Sequence, residues 1–164
     1  MKYIRQEVFM ATRKDIQIAQ DLIRFLNIMN DLMDCASYIL REIDPQTGGP
    51  YQVLDGAGGM RPATLEEIKQ EVKRIGQNAI GYWNMMRTFV DLYGAQKTKT
   101  ALQSLGMNVI EFQADLESIR TEAAHIRDTV INATTKADLL PYADHVDANV
   151  PKLVLVRRSW CLGL

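Results

Sequence analysis

Residues 12–43 read Thr12-Arg-Lys-Asp-Ile-Gln-Ile-Ala-Gln-Asp-Leu-Ile-Arg-Phe-Leu-Asn-Ile-Met-Asn-Asp-Leu-Met-Asp-Cys-Ala-Ser-Tyr-Ile-Leu-Arg-Glu-Ile43, and the spacing of their apolar residues decides the fold class. Ala19, Leu22, Leu26, Met29, Met33, Ala36, Leu40 and Ile43 follow one another in alternating steps of three and four. An average step of about 3.5 residues keeps one stripe on one side of a helix and turns it toward a partner helix. A half-buried strand needs alternation with period two instead.

The register recurs twice. Leu65, Ile68, Val72, Ile75, Ala79, Tyr82, Met86, Phe89 and Tyr93 repeat it, and so do Leu102, Leu105, Val109, Phe112, Leu116, Ile119, Ala123, Ile126, Val130 and Ala133. This predicts an all-α protein, an antiparallel bundle of three long heptad-patterned helices at about 13–43, 65–93 and 101–134, rods of roughly 45 Å at ~1.5 Å per residue. Each helix has a Thr placed to cap its start, with an acid or amide three residues on: Thr12/Asp15, Thr64/Glu67 and Thr100/Gln103. Asp44-Pro45 is expected to stop the first helix and Gly94 the second. The short Gly94–Lys99 connection makes the second and third antiparallel neighbours. Gly76, Gly81 and Gly106 fall inside the helical patterns and read as tolerated.

The first helix carries a second apolar row, Ile18, Phe25, Leu32 and Ile39, spaced by sevens. Three apolar positions per heptad suit a helix touching two neighbours inside one chain. The same row is a candidate contact with another subunit. Residues 44–63 hold half of the chain's ten glycines, so they read as a long connecting loop, a class often functional or mobile. Within it Tyr51, Val53 and Leu54 are candidate partner contacts on a small strand. Residues 1–11 and the C-terminal run read as extended, β-prone segments, and Val154, Val156 and Trp160 as further candidate contacts. The expected division is a terminal segment 1–11, a bundle 12–135, and a tether with C-terminal arm, 136–164.

Bulk properties narrow the function classes. The 164 residues are 47% apolar and 24% charged, with a formal net charge of −1. That fits one globular domain and lacks the basic excess of a dedicated nucleic-acid binder; Lys97, Lys99, Arg157 and Arg158 read as solvated charges. The sequence contains no run of eighteen apolar residues that would suggest a membrane span, and its start has the wrong pattern for a signal peptide. Two widely separated cysteines point to a reducing compartment or indifference to redox. The expected location is cytoplasmic or inside a virus particle.

Catalytic signatures are missing. Glu122-Ala-Ala-His125 matches the Glu-x-x-His spacing of carboxylate-bridged di-metal bundles, but those need it twice, and the register points His125 outward. His145 lies in the expected tether. No catalytic residue, cofactor or metal is expected. The sequence therefore points to a non-enzymatic structural or assembly protein, such as a neck, tail or internal component of a bacteriophage virion, an analogy at the level of fold. Its expected partners are proteins, through self-association or neighbouring subunits. Alternatives are an adaptor bundle that binds a partner helix and a helical metalloenzyme.

Overall fold

A computed structural model describes residues 12–151, and these are mostly helical with one small two-stranded sheet. Helix α1 spans Arg13–Leu40. An antiparallel hairpin of β1 (Gln52–Leu54) and β2 (Met60–Pro62) follows. Then come α2 (Leu65–Tyr93), α3 (Ala95–Ser104), α4 (Val109–Thr129) and α5 (Leu139–Asn149). Two single-turn 3-10 helices, Val130–Asn132 and Lys136–Asp138, join α4 to α5.

Helix α1 packs against all four other α-helices. Its seam residues Ala19, Leu22, Met29, Met33, Ala36 and Leu40 are buried, and so are Ile18, Leu32 and Ile39 of the second row. A helix with neighbours on several sides needs that wide stripe. Even polar groups on α1 are enclosed. Asn30 Nδ2 donates to the Pro151 carbonyl (2.5 Å) and Ser37 Oγ to the Asp147 carboxylate (2.7 Å), which offsets the cost of burying them.

Two of the three expected caps form. Thr12 Oγ1 accepts from the Asp15 N–H (3.0 Å). Thr64 and Glu67 make a complete capping box, with Glu67 held also by a two-pronged pair from Arg61. Thr100, however, lies inside α3. The third helix is not continuous over 101–134. Gly106 adopts φ +75°, the Gly106 N–H donates to the Gln103 carbonyl, and the Met107 N–H to that of Leu102. This left-handed closing pattern ends a helix, and Asn108 opens α4 by accepting from the Glu111 N–H (3.1 Å). Leu105, a seam residue in the unbroken reading, is 40% exposed at the break.

The first helix stops at Leu40, before Asp44-Pro45 is reached. Glu42 takes φ +59°, a conformation usually left to glycine, and the Glu42 and Ile43 N–H groups close onto the Ile39 and Tyr38 carbonyls. The expected tether is the helix α5, with Leu139, Ala143 and Val146 buried. Pro141 does not break it, because the N–H groups of a first turn have no intrahelical partner to lose.

Helices α2 and α4 run antiparallel: Lys69 meets Ile131 near the start of α2, and Trp83 meets Arg120 further on. A Cβ on Gly76 would sit 2.8 Å from the Ala123 carbonyl oxygen, so this glycine is required where the two backbones meet. Further along, the larger Trp83 and Met86 of α2 stand on the same side as Phe112 and Leu116 of α4.

Candidate functional site

A cleft of ≈ 490 Å³ lies between α2 and α4, with α3 as its third wall. Trp83, Val90, Leu102, Val109, Phe112 and Leu116 line it. Gly94 alone (φ +85°) separates α2 from α3, and the sharp corner sends α3 over the start of α1, where Lys97 Nζ lies 3.5 Å from Asp15 Oδ1. Phe112, Leu116 and Leu102 are buried at the bottom, whereas Trp83, Val90 and Val109 are half-buried. The Arg120 guanidinium lies 4.6 Å from the Trp83 ring centroid, close enough for a cation–π contact that fixes the indole. Exposed Arg87 and Lys99 edge the α2–α3 side and Glu117 the α4 side. A largely apolar concavity of this volume, with a few charges at its edge, is the ordinary form of a binding pocket.

A second cavity of ≈ 490 Å³ lies between α4 and α5 and is lined mostly by polar residues. Glu122 is only 3% exposed, and its Oε1 accepts from His145 Nδ1 at 2.6 Å. The His125 and His145 rings stand 4.5 Å apart at 30°. Asn149 Nδ2 donates to the His145 carbonyl (2.8 Å). Glu117, Ser118 and Thr121 complete the lining. With Nδ1 committed to a carboxylate, His145 keeps Nε2 as its second ring nitrogen. The two imidazoles stack rather than aim at one point, and among the described residues no group of three or more His, Cys, Asp or Glu side chains is placed to hold a metal ion.

The structure scatters the contacts expected from sequence. Ile18, Leu32 and Ile39 are closed inside the chain and offer no exposed surface; Phe25 is half-buried, edge-on to Phe89 at 6.0 Å. Tyr51 and Val53 pack partly against the core, and burial pushes the Tyr51 hydroxyl pKa up. Leu54 alone of this set is exposed, at 72%. Val154, Val156 and Trp160 lie outside the described residues. The sequence reading missed both cavities. The polar one depends on α5, whose helical spacing Leu139, Ala143, Val146 and Val150 was visible but lay hidden behind two prolines.

Comparison with protein families, curated proteins and solved structures finds no match to this chain. Among the described residues no helix is long and apolar enough to cross a membrane.

Proposed function

We propose that this protein is a non-enzymatic structural or assembly component of a multi-subunit particle and holds a neighbouring subunit through the cleft between α2, α3 and α4. In this reading α1, α2 and α4 form the antiparallel, heptad-patterned three-helix bundle, and α3 and α5 brace it. The observation that carries the proposal is the cleft: apolar walls left open to solvent beside the buried core. Large exposed apolar concavities on proteins commonly mark interaction sites. A virion is the particle suggested by analogy of architecture alone.

The same cleft supports an adaptor that takes an amphipathic partner helix. A partner bound one-to-one, with no larger assembly, is the mark of that second reading. The stacked histidines lend no support to a metalloenzyme.

A photo-crosslinking residue in place of Val90 tests the proposal in cells that make the protein. The expected result is a light-dependent adduct of discrete mass, weaker from the exposed Gln70 position on the outer face of α2. Equal or absent crosslinking at the two positions sinks it.

A further inference from the structure

Two complementary features stand toward opposite ends of α2, a helix of 29 residues and so roughly 43 Å long. At its N-terminal end is the hairpin. Leu54 and Met60 lie directly opposite each other across its strands, on its outward face, 72% and 54% exposed. Toward the other end is the apolar cleft. We infer that the hairpin of one copy seats in the cleft of the next, joining copies of this chain head to tail. This rests on the assembly reading and names its partner, a second copy.

The hairpin is built as a firm knob. Asp55 Oδ1 accepts from the Ala57 (2.8 Å) and Gly59 (3.0 Å) N–H groups, and the Asp55 N–H donates to the Gly59 carbonyl. Gly56 and Gly58 supply the positive φ angles that this turn demands. The base is held by the Tyr51 N–H on the Glu42 carbonyl and by Arg61 on Glu67. A tip ordered before binding loses little entropy when it docks.

Charge selects this occupant over the other candidates in the chain. Asp55 is the only charged residue between Tyr51 and Met60, and the hairpin's other charge, Arg61, is paired with Glu67, so the exposed tip presents a single carboxylate. Arg87 and Lys99 on the α2–α3 side of the cleft are complementary to it and outnumber Glu117 on the α4 side. Residues 152–164 carry Lys152, Arg157 and Arg158 with no acid, and residues 1–11 carry Lys2 and Arg5 against Glu7. Both of those segments carry a net positive charge, the sign of the cleft edge taken as a whole. Because knob and cleft are different surfaces, the contact is heterologous, and repetition gives a ring or a filament.

Sedimentation velocity over a concentration series tests this with full-length chains. Two variants at exposed positions, each checked for unchanged helicity and melting, separate the surfaces: Leu54→Asp removes the knob, and Arg87→Glu with Lys99→Glu removes the cleft edge. Wild type is expected to grow with concentration, and each variant alone to associate about tenfold or more weakly. An equal mixture of the two is expected to form dimers that grow no further, since one intact knob meets one intact cleft. A wild type that stays monomeric, variants that assemble like wild type, or a mixture that stays monomeric would each overturn the inference. If self-association fails while Val90 still crosslinks to another polypeptide, the assembly reading survives and only the self-pairing falls.

Discussion

Around the N-terminal half of α2 the chain is pinned by side chains, whereas around its C-terminal half it is turned by glycines and left open. At the pinned end Arg41 reaches both Asp144 and Asp147 of α5 (2.8 Å each), Lys136 meets Glu42 (2.8 Å), and Arg61 clasps Glu67. Lys69 Nζ donates to the Ile131 carbonyl (3.1 Å), and Thr134 and Thr135 close onto Asp138. At the open end the chain changes direction at Gly94 and Gly106, both at positive φ. Individually the exposed pairs contribute little. Their use lies in direction: they fix how α5 lies against α1 and how the hairpin lies against α2. The glycine corners fix direction too, through their positive φ, and the cleft lies between the helices they separate.

The largest expected effect compares one substitution at both ends. Leu40→Ala, at the pinned end, is expected to cost about 3–5 kcal/mol, because a fully enclosed site cannot collapse around the void. Leu102→Ala, on the floor of the cleft, is expected to cost about 2 kcal/mol, since its surroundings are already partly empty and can relax. Urea unfolding of the two variants measures the difference. Equal losses would mean that the open end is packed as tightly as the pinned one, and the comparison would fail.

Next in size is the boundary between the two regions. Gly76→Ala is expected to destabilise by about 2 kcal/mol, because the new methyl group meets the Ala123 backbone oxygen. Gly81→Ala, five residues on, meets nothing within 4 Å and is expected to stabilise by about 0.5–1 kcal/mol through lost chain entropy alone. Opposite signs from one substitution on one helix would separate the side of α2 that α4 covers from the side that it does not. Two losses would mean that the side carrying Gly81 is closely packed as well.

These two glycines also show what the sequence could and could not say. Periodicity located the buried faces of α1, α2 and α4, because a stripe of apolar side chains is written in residue order. It could not tell Gly76 from Gly81, since closeness of approach depends on which residues lie across the interface. It also ran on through Leu102, Leu105 and Val109 as if no break were there. A left-handed residue at Gly106 leaves the three-four spacing intact on paper, and only Gly106 with Asn108 and Glu111, a stop followed by a cap, marks the division. The cleft was illegible for the same reason: its walls come from three helices, and how they meet is not written in residue order. Glu122 and His145 meet only because α5 folds back on α4, a contact between residues that no local spacing relates.

A smaller effect is expected at the pinned end's one strained residue. Glu42→Gly removes the left-handed strain of a side-chain-bearing residue, worth about 1–2 kcal/mol, and loses the half-exposed pair with Lys136, worth a few tenths on the scale of about 0–1 kcal/mol for such pairs. Glycine's greater freedom in the unfolded chain takes back about 0.5–1 kcal/mol, so the net expectation is a gain of a few tenths of a kcal/mol and a small rise in Tm. A fall would show that Lys136 holds the chain before α5 more firmly than a surface pair does.

The smallest effects, and the ones that set the two ends against each other most directly, come from acid. Arg61, followed by the Thr64 N–H, holds the Glu67 carboxyl down to about 2 from its ordinary 4.5. A lowered folded-state pKa gives stability that is present above the ordinary value and lost as pH falls from there toward about 2. At the open end Asp115 is shifted the other way, raised first by burial and then by neighbouring Glu111. Its charged form therefore costs stability at neutral pH, and protonation relieves that cost as pH falls through the raised value. Acid should loosen the hairpin before the α4 wall of the cleft. Amide exchange at pH 3 and pH 7, corrected for intrinsic rates, is expected to show protection falling earlier in residues 61–72 than in 109–120. Glu67→Gln should flatten the acid sensitivity of the first segment, and Asp115→Asn should slow exchange in the second at pH 7. The same loss of protection in both segments would mean that the chain opens as one unit, with the two ends different in construction but not in stability.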